Sequence, residues 1–306
     1  MSGVVRWAIA GAGVAGRARG RAILADPDAV LVRAFRGDPA ALGVPAATDF
    51  DALLAEDVDA VAICTPDDTH AALVQRALEA DKHVVCEFPL AGDRLRAGDL
   101  YDLAAARDRV LHTEHIELLT PTARWLRGRV LGRRLLGGSV RFSGGLRPRA
   151  TSAAHANIAR LQRLIDAVGS PGSLAVRWRD ENNLQAVLHY SGNPERYDGM
   201  AEVHVDFIHG ADLQRRTELV LELTDGTVMQ LGGTVLDRGV PVALPRGPGL
   251  FAADHAAAMA CIRGTGLPYA DRDRVVQGLT LADRLAGAPI TGGARRRGLP
   301  MRELKD

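Results

Sequence analysis

The stretch VVRWAIAGAGVAG, residues 4–16, constrains what this chain can fold into more than any other. An apolar run of this kind reads as a short buried strand. It passes straight into glycines, after which RARGRAILADP continues as an Ala/Arg-rich helix halted at Asp26-Pro27. Gly11, Gly13 and Gly16 carry the GxGxxG spacing, with strand before and helix after. In that setting the first glycine permits a tight turn, the second lets backbone approach a pyrophosphate, and the third lets helix and strand pack closely. Val14 and Ala15 lie between the last two glycines, at a helix N-terminus whose N–H groups face the phosphate charge. The chain is therefore expected to open with the βαβ unit of a dinucleotide-binding domain.

A second strand, AVLVRAF (residues 29–35), follows at the distance this unit requires. An acid at its tip would accept from a ribose 2′-hydroxyl, but the tip reads Phe35-Arg36-Gly37-Asp38. Arg36 would pair with a 2′-phosphate and stack on adenine, which points to NADPH, with NADH as the other option. The competing reading makes Arg36 a solvated loop residue and Asp38 the ribose ligand. DVDAVAICTPDDTH (57–70), the amphipathic AALVQRALEA and KHVVCEFPLAG (82–92) continue the strand–helix alternation. That rhythm implies a doubly wound parallel sheet with ligand at the carboxyl ends of its strands. Those ends hold Gly11 to Gly16, Arg36, Thr65-Pro66 and Glu87-Phe88.

LHTEHIELL (111–119) concentrates two histidines and two glutamates. VLH ends a further strand, and ELLTPTARWLRGRV turns helical with Pro121 near its first turn. His112 and Glu114 point one way along the strand, and Glu117 sits where strand gives way to helix. The segment lacks HExxH and no Cys/His group stands elsewhere, so no metal is expected. Two readings remain: pocket residues, or structural histidines (His112, His115) with glutamates that cap a helix or pair with arginines.

From residue 135 the period changes. Six segments beginning at LLGGSVRFSGG and ending at TVMQLGGTV alternate between Gly or Asp-Gly turns, which predicts a large, mostly antiparallel sheet. Helices over about 251–263 and 271–286 are expected to pack back on it. At 306 residues the chain exceeds one core, and the expected division is an α/β Rossmann domain over 1–120 and an α+β substrate or oligomerisation domain over 121–306. The second sheet is a candidate surface for a homodimer. A net charge of +1 favours neither nucleic acid nor membrane as a partner. Cys64, Cys86 and Cys261 are scattered without a CxxC, and the first apolar run ends in glycines instead of a cleavage site, so a soluble cytoplasmic protein with reduced thiols is expected. Arg295-Arg296-Arg297 reads as a solvated tail.

The GxGxxG start, the TPxxxH segment Thr65 to His70 and the strand ending Glu87-Phe88-Pro89 resemble the glucose-fructose oxidoreductase and inositol dehydrogenase (Gfo/Idh/MocA) family. VLHTEHIELL, VLGRRLLGGSVRFSGG (130–145) and IARLQRLIDAVG (158–169) are similar to its bilin-reductase branch. The resemblance implies that Thr65, Pro66, His70 and Glu87 line the cofactor, that Glu114 and Glu117 position substrate or water for proton delivery, and that Arg160 is a pocket arginine, with Arg163 on the same helix surface. For the two arginines a solvated helix face is the alternative. Phe88 stands where the branch has tyrosine and the wider family lysine. A sugar dehydrogenase must take a proton from a hydroxyl as hydride leaves, and Phe88 cannot supply that base. Reduction of a conjugated bilin or an imine makes no such demand. The resulting expectation is an NADPH-dependent reductase of a small molecule, a bilin or an imine, with Phe88 as an apolar wall and His112 beside the substrate. A non-catalytic NADP- or bilin-binding sensor is the rival.

Overall fold

The computed structural model describes residues 3–146, 150–247 and 249–292; the triple arginine of the tail lies outside them. The first strand, β1 (Val5–Ala12), is enclosed over Trp7, Ala8, Ile9 and Ala10. Helix α1 (Val14–Leu24) follows, then β2 (Ala29–Gly37), the single turn α2 (Phe50–Leu53), β3 (Ala60–Ile63), α3 (His70–Glu79), β4 (His83–Cys86), α4 (Arg94–Ala106) and β5 (Leu111–Thr113). The five strands form one parallel sheet in the order β2-β1-β3-β4-β5. Strands β3 and β4 are buried along their whole length, which is why their sequences are continuous apolar runs without alternation. All five carboxyl ends meet along one edge.

After a 3₁₀ turn over Ile116–Leu119, α5 (Pro121–Val130) begins on proline, whose missing N–H costs nothing at a first helical position. Next come β6 (Leu135–Gly144), α6 (Ile158–Val168), β7 (Ser173–Arg179), β8 (Leu184–Tyr190), β9 (Tyr197–His209), β10 (Arg216–Leu223), β11 (Gly226–Leu231), β12 (Thr234–Asp237) and β13 (Val240–Pro241). These strands make one sheet in the order β13-β12-β11-β10-β6-β9-β8-β7. Every described pair in it is antiparallel except β6 with β9. The exception follows from connectivity: α6 separates β6 from the later strands, so the chain can re-enter beside it in the same direction. The segment TVMQLGGTV divides at Gly232, which has φ +61°, into β11 and the start of β12.

The chain ends its described course with α7 (Leu250–Ile262) and α8 (Arg272–Gly287). Two compact units result, residues 1–120 with 247–277 and residues 121–246 with 278–306. The segment 247–277, which the sequence assigns to the second domain, thus belongs with the first. Helix α7 is the reason, and the expectation that it packs on the second sheet is corrected. It lies against α1, and its Ala258, Met259 and Ile262 share one buried cluster with Trp7, Ile9 and Ile23. Its sequence LFAADHAAAMACI is apolar on nearly every side, so the pattern carries no preferred partner. Among the described residues no helix is long and apolar enough to cross a membrane.

Candidate active site

The glycines of the first turn have distinct duties. Gly11 has φ +98°, and a Cβ there would stand 2.5 Å from the Cys64 carbonyl oxygen. A Cβ at Gly16 would stand 1.8 Å from the carbonyl oxygen of Gly11, so helix and strand touch only because that atom is missing. At Gly13 an added Cβ meets nothing within 4 Å. The chain needs no glycine there for its own packing, and the open space lies in front of the first N–H groups of α1, with Val14 exposed and Ala15 half-buried beside it. That arrangement fits the close approach of a pyrophosphate.

At the next strand end, Arg36 is exposed with φ +62° and its guanidinium lies 5.2 Å from the Phe35 ring centroid. The Asp38 carboxylate accepts from the Ala41 N–H at 3.2 Å and caps the turn that follows. Thr65 is buried and Pro66 exposed. His70, 1% exposed, places Nε2 2.8 Å from the Thr65 carbonyl oxygen and Nδ1 2.7 Å from that of Pro89. It thereby ties the loop after β3 to the loop after β4, the two loops that carry Thr65-Pro66 and Glu87-Phe88.

Behind these loops lies a buried charge network with one cation. Arg19, 1% exposed on α1, donates from Nη2 to Glu87 Oε1 at 2.9 Å and from Nη1 to Asp254 Oδ2 at 2.6 Å. Asp254 Oδ1 accepts from His112 Nε2 at 2.9 Å and from the Tyr269 hydroxyl at 2.5 Å, and that hydroxyl accepts the His115 N–H at 2.9 Å. Burial alone would push the Asp254 carboxyl up; the Arg19 charge and then the His112 hydrogen bond outweigh it and hold Asp254 well below the usual range. Arg19 stays charged, since Asp254 and Glu87 overcome its own desolvation.

A third carboxyl in the same place, Glu114, feels the Arg19 charge only weakly beside its own burial and the two acids that engage that arginine. Glu114 is fully enclosed; its Oε1 accepts the Ile116 N–H at 2.7 Å and its Oε2 has no partner. Burial first, then the charges of Glu87 and Asp254, push its pKa well above the ordinary carboxyl value. His115 beside it is neutral, its pKa pushed down to about 4, chiefly by burial. The His115 ring stacks on Phe88 with centroids 5.8 Å apart and planes 14° from parallel. Both its ring nitrogens, His112 Nδ1 and Glu114 Oε2 are buried polar atoms without a hydrogen-bond partner among the described residues, all within four consecutive residues. Each of these atoms has the capacity to donate or accept one further hydrogen bond.

The sequence-predicted residues thus divide. Gly11, Gly13, Gly16, Arg36, Thr65, Pro66, His70, Glu87, Phe88, His112 and Glu114 all stand at or just behind one sheet edge. Glu117 is half-buried on the 3₁₀ turn, its carbonyl accepting from the Thr120 hydroxyl at 2.8 Å. Arg160 and Arg163 lie on α6 of the second unit, Arg160 with its guanidinium 3.8 Å from the Phe142 ring centroid and Arg163 hydrogen-bonded to Gln230. Arg19, Asp254 and Tyr269 escaped sequence reasoning. A lone Asp in the apolar α7 was a usable signal for one of them; Arg19 is indistinguishable by sequence from its neighbours Arg17 and Arg21. Among the described residues no group of three or more His, Cys, Asp or Glu side chains is placed to hold a metal ion.

Comparison with known proteins agrees with this geometry. Residues 5–115 match the oxidoreductase family described as having an NAD-binding Rossmann fold, Gfo/Idh/MocA. Mouse biliverdin reductase A is 44% identical over 93 residues, 30% of this chain and 32% of that protein. Inositol 2-dehydrogenase of Rhizobium meliloti (strain 1021) is 40% identical over 102 residues, 30% of this chain and 31% of that protein. The matched stretches thus span about a third of each curated relative. The crystal structure of biliverdin reductase from Synechocystis sp. PCC 6803, in complex with biliverdin and NADP+, shares the fold over 92% of this chain and 98% of its own, with TM-score 0.78 at 24% identity. The first part of this chain is thus a Rossmann domain, and its residues 5–115 match the NAD-binding domain model of the Gfo/Idh/MocA oxidoreductases.

Proposed function

We propose that this chain is an NADPH-dependent reductase of a conjugated C=C or C=N acceptor, with an open-chain tetrapyrrole such as biliverdin as its substrate class. The observation that carries the reading is the setting of Glu114: a fully enclosed carboxyl with one oxygen on the Ile116 N–H, whose pKa burial and the neighbouring Glu87 and Asp254 push upward while Arg19 is engaged by those two acids. An alcohol dehydrogenase needs a base at this place; the loop instead presents Phe88, stacked on His115, whose pKa burial pushes down to about 4.

When bound, the reduced dinucleotide supplies hydride. The protein's own residues do the rest. Gly11 and Gly16 let α1 close on β1, Gly13 leaves room for the pyrophosphate, and Arg36 pairs with a 2′-phosphate. His70 and Arg19 fix the two loops that bear Thr65 and Glu87, and Phe88 backs the site with an apolar ring. Glu114 keeps its proton on Oε2, because Oε1 already accepts the Ile116 N–H. From Oε2 the proton passes, through an ordered water, to the substrate nitrogen that gains electron density. Glu117 positions that water, and His112 holds the Asp254 carboxylate. The likeness to biliverdin reductases supports this choice of substrate; the likeness to an inositol dehydrogenase marks the competing chemistry.

The test is to mix the protein with NADPH and biliverdin and follow the visible spectrum. The reading predicts a shorter-wavelength product formed one-for-one with loss of NADPH. Turnover of a cyclic imine with an unchanged bilin band would move the reading to C=N reduction, and ligand binding without turnover would make the chain a sensor.

A further inference from the structure

The proposed preference for NADPH rests on Arg36, and the structure supplies a second guanidinium at the same strand ends. Arg17 directly follows Gly16, whose missing Cβ presses the first turn of α1 onto β1. Its Nη1 donates to the Ala12 carbonyl at 3.2 Å. Ala12 closes β1 and pairs with Gly37, the residue after Arg36, and a Cβ at Gly37 would lie 2.8 Å from the Ala12 carbonyl carbon. Ala12 is therefore touched from one side by the Arg17 guanidinium and abutted from the other by the backbone that carries Arg36.

Among the described residues neither arginine forms an ion pair, whereas Arg19, two residues after Arg17, engages two carboxylates. The acid closest in sequence, Asp38, has its carboxylate on the Ala41 N–H. A ribose 2′-hydroxyl needs an acceptor, and these strand ends offer two donors of positive charge. We infer that Arg17 is a second specificity-determining residue that, with Arg36, reads the adenosine 2′-phosphate. This rests on the proposed binding of a dinucleotide at Gly11 to Gly16. A phosphate held between two guanidinium groups forms charge-assisted bonds to both, and its charge relieves their mutual repulsion.

The test is calorimetric titration with adenosine 2′,5′-bisphosphate and adenosine 5′-monophosphate, which requires no turnover. Wild type binds the bisphosphate more tightly. Arg17→Ala and Arg17→Gln each weaken the bisphosphate by roughly tenfold, and leave the monophosphate within about twofold. The glutamine variant keeps a donor for the Ala12 carbonyl, so it separates lost charge from lost local support. Equal weakening of both ligands by Arg17→Ala, with full recovery in Arg17→Gln, would make Arg17 a strut for Ala12 and overturn the inference. If Arg36→Ala abolishes the preference while both Arg17 variants retain it, the inference fails and the NADPH reading stands. A wild type that binds both ligands alike removes both.

Discussion

A carboxyl group with one oxygen on a backbone N–H and the other on nothing is a poor place for an anion, and Glu114 shows the consequence for stability. Its folded pKa is raised above the unfolded value of 4.5, so across that window the native state binds more protons than the unfolded chain. Stability is full below 4.5 and falls as pH rises toward the folded pKa, by about 1.4 kcal/mol per unit of separation. His115 acts on the opposite flank. Depressed from 6.5 to about 4, it contributes stability above 6.5 that is lost as pH falls through the folded value, on the order of 3 kcal/mol. Glu114→Gln keeps an acceptor for the Ile116 N–H and cannot ionise. Urea unfolding of this variant should show the acid-side loss but little decline toward alkaline pH, where wild type declines. Parallel curves for the two proteins would return Glu114 to the ordinary carboxyl range.

At the level of elements, the β1–α1 junction allows fold and function to be separated by two substitutions of one kind. Gly13 has φ −79° and ψ −156°, a conformation any residue adopts, and open space beyond it. Gly13→Ala should change stability by less than about 0.5 kcal/mol while weakening NADPH roughly tenfold or more. Gly16→Ala drives a methyl into the Gly11 carbonyl and should cost about 1–3 kcal/mol or more in thermal or urea unfolding. Equal stability losses in the two variants would show that Gly13 is also a packing glycine. The same junction was the most legible part of the sequence, because its strand, turn and helix each follow from local rules. Strands β2 to β5 were legible for a related reason, their apolar runs being short and bounded. The parallel β6–β9 pair and the packing of α7 on α1 were not, since pairing direction and helix partner depend on residues far apart in the chain and α7 has no polar face to orient it.

At the scale of the whole molecule, the chemistry of the site is set by a contact that spans most of the chain. Arg19 and Asp254 stand 235 residues apart in sequence and 2.6 Å apart in space. Nothing in the neighbourhood of Glu114 in the sequence announces this: LHTEHIELL shows which groups are present, but not that two other carboxylates already hold Arg19. The choice between pocket acid and structural acid therefore could not be made from residues 111–119 alone, and the return of 247–277 to the first unit is what decides the charge balance. The proposed reaction requires Glu114 to hold its proton at neutral pH, a direction favoured first by its burial and then by the charges of Glu87 and Asp254. Infrared difference spectra of the full chain, wild type minus Glu114→Gln, read this directly. A carbonyl stretch of a protonated carboxyl, present in wild type at pH 7 and missing from the variant, is the predicted result. A carboxylate band in its place, with no protonated signal, would contradict the account.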